Sequence, residues 1–192
     1  MRQNDDTPLA VVGRGLLAGV VSTVVLTVIL TAGRSMLPGS VPASAGPTPP
    51  EGGPGDDGIS AGEALAESPG TPPQMDRVTA VFAQKVATGL LGECLGREGQ
   101  YIAGTAWHLA YGGFWGISYA LLESSLQMSQ WLLAPIHSLF IWALGPGWLL
   151  PKMQLMLPPK KQQPRTVGIV LGVHEAYGAL TALLLQSLKR RG

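Results

Sequence analysis

Apolar residues fall along the chain in four long runs separated by polar interruptions of very different length. The runs cover 15–33, 101–123, 131–150 and 166–188. Each is near the roughly 20 residues that an α-helix needs to cross a bilayer. Backbone groups in lipid must satisfy one another, so such runs are read as transmembrane helices. Between the first two, residues 76–97 show a different pattern. Val78, Val81, Phe82, Val86, Leu90 and Leu91 recur at three- and four-residue steps, with Arg77, Gln84, Lys85 and Thr88 on the other side. Asp76 is placed to cap this helix, which is too polar to span and predicts an amphipathic helix on the membrane surface or against the bundle.

The interruptions complete the layout. Residues 1–14 form an N-terminal tail, 151–165 a basic loop with Lys152, Lys160, Lys161 and Arg165, and 189–192 a basic tail. Residues 34–75 hold nine of the 16 prolines together with scattered acids. That composition buries too little apolar surface to offset its ordering entropy and predicts a disordered linker. A secretory signal peptide competes for the first run, because Ala43-Ser44-Ala45 looks like a cleavage site. The run exceeds the usual h-region and the site lies ten residues past its end, which favours a retained anchor.

Within the spans one phrase occurs twice. His108-Leu109-Ala110-Tyr111-Gly112 returns 66 positions later as His174-Glu175-Ala176-Tyr177-Gly178. At 100° per residue, Tyr111, Gly112, Trp115 and Tyr119 all fall within about 60° of His108 and form one interhelical stripe. Gly104, Gly112 and Gly116 add small residues that let another helix approach. Leu16-Leu17-Ala18 is echoed by Leu132-Leu133-Ala134. The fold class predicted is therefore all-α and polytopic, with four spans as two helical hairpins. Each hairpin returns the chain to its starting side, so the repeats are parallel, about an axis along the membrane normal. His108 and His174 are expected at similar depth. The third span, with Pro135 and Gly145-Pro146-Gly147, is expected to be kinked.

Composition narrows the chemistry. Charged residues make up 13% of 192 and the net charge is +1, which leaves no case for nucleic acid as a partner. The single cysteine, Cys94, excludes an intrachain disulfide and offers no metal-ligand spacing. Basic residues are nearly balanced between the two sides. The acidic linker and the basic tail place both termini in the cytoplasm, with the protein multi-pass in the inner membrane.

Gly15-Leu16-Leu17-Ala18-Gly19-Val20-Val21-Ser22 at the opening of the first span resembles the start of the YagU-like inner-membrane proteins. His108 with Tyr119 and Glu123 behind it adds to the likeness, as do Pro158-Pro159 and a histidine early in the last span. The resemblance covers the four spans and not the linker. It implies a small inner-membrane protein of a family without an established biochemical activity.

The candidate polar cluster within the membrane is His108, Tyr111, His137, His174, Glu175 and Tyr177. Four functions follow from it. In the first, the protein is not an enzyme and these groups pack helices together in the bilayer, with a homo-oligomer or a membrane complex as possible assemblies. In the second, Glu175 and the three histidines titrate in an oligomeric proton-linked transporter or channel. In the third, His108 and His174 are axial ligands of a b-type haem, with Gly112 and Gly178 giving room for the ring. The last, an enzyme acting on lipid or quinone, has no visible nucleophile–base pair or metal motif.

Overall fold

The computed structural model describes residues 7–35, 75–92, 95–126 and 128–191. The linker expected over 34–75 lies almost wholly outside them, as do the Ala43-Ser44-Ala45 site, Cys94 and the side chain of Asp76. Regular structure among the described residues is helical: α1 (Pro8–Ser35), α2 (Met75–Leu91), α3 (Arg97–Leu126), α4 (Gln130–Leu144) and α5 (Pro164–Arg191). Past α4 the helical path continues through a π turn, Gly145–Leu149, into a short α turn, Leu150–Lys152.

Among the described residues three stretches are long and apolar enough to cross a membrane: Pro8–Ala32, Gln130–Lys152 and Pro164–Arg190. At 30 residues α3 has the length. It is absent from that group because His108, its tyrosines and tryptophans and its glycines dilute the apolar residues. Polarity in the bundle runs opposite to that of a water-soluble protein. Ser22, Thr23, His137, Ser138 and Thr181 are buried, while Leu17, Val28, Phe114, Leu132 and Phe140 are exposed.

The tightest seam joins α1 to α3. A Cβ on Gly15 would lie 2.8 Å from the Gly116 carbonyl oxygen, and one on Gly116 would lie 2.6 Å from the Gly19 Cα. Small residues thus bring the two backbones together, and the pairing of Gly15 with Gly116 and of Thr23 with Gly112 makes the helices antiparallel. On its other side α1 packs on α5, where the Thr181 hydroxyl donates to Ser22 Oγ at 3.0 Å. In turn α5 packs on α4 through Gly178, whose added Cβ would come within 3.1 Å of the Ala134 carbonyl oxygen. As a result α1 and α4 point one way, and α3 and α5 the other.

The half of the bundle nearer the chain termini is solid. Val11, Ala18, Tyr119, Ala120, Leu133, Ala134, Ala182 and Leu185 fill it, and Lys189 pairs with Glu123 at its edge. The opposite half is hollow and is covered by α2. Phe82 stacks on Trp107 with ring centroids 4.6 Å apart, and Lys85 Nζ donates to the Met153 carbonyl at 2.8 Å. Gly92 ends α2 at φ +69°, a conformation that costs glycine little, with its amide donating to the Thr88 carbonyl.

Pro135 does not break α4, which runs helically through it. The departure comes at Gly145-Pro146-Gly147. Pro146 has no N–H to donate, and the ladder widens so that the Leu150 amide reaches the Gly145 carbonyl. Gly145 has a second use. A Cβ there would lie 3.0 Å from the Tyr111 hydroxyl, so the glycine lets that phenol rest against the α4 backbone.

Candidate functional site

The two copies of the repeated phrase meet. His108 and Tyr111 from α3 and His174 and Tyr177 from α5 line one cavity of about 200 Å³ in the hollow half of the bundle. Because α3 and α5 are parallel, positions 66 apart come side by side. The Tyr177 hydroxyl donates to the Gly112 carbonyl at 2.6 Å, and the Lys189–Glu123 pair has the same 66-residue spacing. Thr23, Gly112, Trp115 and Ile141 are the buried members of the lining, and the exposed Thr31, Tyr101 and Thr105 form the lip beneath α2.

The third wall comes from α1 and was not anticipated. Thr23, Thr27 and Thr31 line the cavity at four-residue spacing. Each hydroxyl donates to the carbonyl one turn back, Gly19, Thr23 and Thr27 respectively, at 2.7–2.9 Å. That arrangement is the ordinary way a threonine is accommodated inside a helix in lipid. It fixes where each proton goes, so that toward any further partner the oxygen can only accept; Thr23 Oγ1 itself also lies against Gly112. The spacing was legible in the sequence, but the apolar run of which it is part masked it.

His174 is oriented in the same manner. Its Nδ1 lies 2.7 Å from the Val170 carbonyl oxygen. A carbonyl only accepts, so Nδ1 carries the proton and Nε2 of the neutral ring is an acceptor. No aspartate, glutamate, lysine or arginine lines the cavity among the described residues.

Two members of the expected cluster lie elsewhere. Glu175 faces a second, smaller groove between α4 and α5, beside Gln130, Trp131, Pro135 and Ala179. As the next residue after His174 it is turned about 100° around the helix, which takes it off the cavity face. His137 is buried between α3 and α4, with its ring edge-on to Trp115 at 5.7 Å and to Tyr119 at 5.4 Å. Its Nε2 lies 3.4 Å from Ser118 Oγ, while Nδ1 has no hydrogen-bond partner among the described residues. The four-membered titratable set of the transporter reading is therefore split over three places.

The room required by the haem reading is also taken. Gly112 meets Thr23 and Gly19 of α1, and Gly178 meets Ser138 of α4, so both glycines serve helix contacts. Among the described residues no group of three or more His, Cys, Asp or Glu side chains is placed to hold a metal ion.

His137 gives a direct test of a packing role. In His137→Phe the ring contacts with Trp115 and Tyr119 are kept, while the unpartnered Nδ1 is removed together with the long Nε2 contact to Ser118. Because an unsatisfied buried polar group costs about 1–3 kcal/mol, the variant is expected to unfold in detergent at or above the wild-type temperature. A lower melting temperature would show that His137 holds a polar contact the bundle needs.

Comparison with protein-family models, with curated proteins and with solved structures returns no match to this chain.

Proposed function

We propose that the protein is a multi-pass inner-membrane protein of four spans, with α3 as the fourth, and that it is a non-enzymatic binding protein. Its site is the cavity in which His108, Tyr111, His174 and Tyr177 converge. The observation that carries this reading is the meeting of two sequence-distant copies of one phrase around an uncharged hollow, when the other half of the same bundle is filled. Natural interiors are packed densely, and a cavity of ~150 Å³ already admits benzene.

Several observations support α3 as a span. Its outer face carries Phe114 and Leu121 in exposed positions, and it is sealed to the most apolar helix through glycine contacts. Two like-oriented hairpins, α1 with α3 and α4 with α5, are supported by matched bonds as well as by sequence. Ser22 donates to the Ala18 carbonyl at 2.7 Å and Ser138 to the Ala134 carbonyl at 2.8 Å, each pair displaced by the 116 positions that separate Leu16-Leu17-Ala18 from Leu132-Leu133-Ala134. With both termini cytoplasmic, the lip of the cavity faces the far side of the membrane. The kinship with YagU-like proteins rests on the residues already quoted.

Trp115 reports on the cavity because its ring lines it. Bromine quenches indole fluorescence on contact. Titrating the full chain in detergent with para-bromophenol, para-bromoanisole and para-bromobenzylammonium is expected to give a saturable component for at least one probe. Trp115→Phe should remove that component, and Thr27→Phe, which fills the space, should abolish binding. Quenching that rises linearly for all three, as partition into the micelle alone gives, would sink the binding function.

A further inference from the structure

We infer that the cavity selects a neutral, lipid-soluble ligand carrying a ring hydroxyl, the chemistry of a phenol or quinol headgroup. The inference rests on the binding role proposed above and adds the ligand class.

The reasoning concerns where protons already are. Five of the polar groups lining the cavity have committed a proton to a backbone carbonyl: Thr23, Thr27, Thr31, Tyr177 and His174. A hydroxyl has one proton, and a neutral imidazole has one N–H. What these five offer a guest is lone pairs. The guest they complement is therefore a hydrogen-bond donor and, because the buried Trp115 Nε1 in the same lining has no partner among the described residues, one that also accepts, as a hydroxyl does. An acceptor-only guest of the same shape would leave them unpaired and dehydrated, which is the costly outcome for buried polar groups.

Charge narrows the class further. Donors come as hydroxyls or as ammonium groups, and either can donate to such a lone pair. The described lining holds no acidic side chain. An ammonium would therefore leave water without a counter-charge at membrane depth, and that desolvation is poorly compensated by neutral acceptors. A hydroxyl carries no such cost.

The remaining walls describe the body of the ligand. Tyr111 and Trp115 lie edge to face, with ring centroids 5.9 Å apart and planes at 76°. They give an aromatic guest the offset and edge contacts that rings prefer. Leu26, Leu30 and Val173 complete the lining with apolar surface. A ring with one polar end and a greasy remainder matches this division. Such a molecule partitions into the bilayer in which the bundle sits.

The test uses the same three brominated probes on the full chain in detergent. The phenol and its methyl ether differ by one donor. Loss of a hydrogen bond together with an unpaired acceptor amounts to about a tenfold change in affinity. We therefore expect para-bromophenol to give a dissociation constant about tenfold lower than para-bromoanisole, with para-bromobenzylammonium weaker than the phenol. His174→Phe and Thr27→Val each remove one acceptor with little change in volume, and either should shrink the phenol-to-ether ratio. The ratio is measured on wild-type protein, so it stands even where a variant folds poorly. Equal or tighter binding of the ether or the ammonium would overturn the ligand class and leave the binding cavity intact. No saturable quenching by any probe would remove both.

Discussion

Gly116→Val is expected to cost the bundle about 3 kcal/mol, the upper end of what overpacking normally costs. Helix propensity pulls the opposite way. Glycine in a helix interior is about 0.8–1.0 kcal/mol worse than alanine, so a substitution that found space would stabilise α3. No space exists at Gly116. Even the first carbon of a side chain would come within 2.6 Å of the Gly19 Cα and 2.7 Å of its nitrogen. These are backbone atoms that cannot rotate aside, so α1 and α3 must separate along the seam. Gly168 is the matched control. A Cβ there meets nothing within 4 Å, and Gly168→Ala should hold or gain up to about 1 kcal/mol. Thermal unfolding in one detergent, monitored by helical circular dichroism, compares the two. If Gly116→Val melted with the wild type, the close seam between α1 and α3 would be wrong. Collapse of the seam would also disturb the cavity, since Thr23 sits against Gly112 about one turn from the clash.

Much of this arrangement was legible in the order of residues. The repeated phrase drew attention to His108, Tyr111, His174 and Tyr177, and those four side chains share a cavity. Glu175 was grouped with them through adjacency in sequence, yet neighbours on a helix point in directions about 100° apart and do not share a face. The same arithmetic applied to α1 would have found Thr23, Thr27 and Thr31 on one stripe. It would also have found Gly15 and Gly19 one turn apart. Mean apolarity hides both patterns, because it carries no angular information. His137 was a harder case. Its position behind Trp115 depends on how α4 rotates against α3, and that rotation is set partly by Gly145 giving way to the Tyr111 hydroxyl. A single sequence carries no direct signal for such a rotation. α3 falls outside the three membrane-long apolar stretches for a related reason: the His, Tyr, Trp and Gly residues that build its inner face lower its mean apolarity.

Reversing one charge at the end of the bundle, in Lys189→Glu, is expected to cost about 2 kcal/mol, and adding Glu123→Lys to it should recover most of the loss. Glu123 of α3 and Lys189 of α5 form an ion pair in which each side chain keeps 20% of its surface exposed. Fully exposed pairs contribute roughly 0–1 kcal/mol, and removing one partner of a buried pair costs about 3–5 kcal/mol. A partly covered pair falls between these limits. Reversal adds repulsion between two carboxylates to the loss of the attraction. The double variant is a fair control because Glu123 and Lys189 each lie near the C-terminus of its helix. A lysine is favoured at one helix end as much as a glutamate is disfavoured at the other, so the dipole effects nearly cancel. The exchange also keeps the number of basic residues at that end of the bundle, and with it the drive to insert in one orientation. A double-mutant cycle on thermal stability in detergent isolates the pair term. Independent, additive effects of Lys189→Glu and Glu123→Lys would mean that α3 and α5 do not run side by side in register. The parallel alignment that brings His108 and His174 to one cavity would then lose its footing.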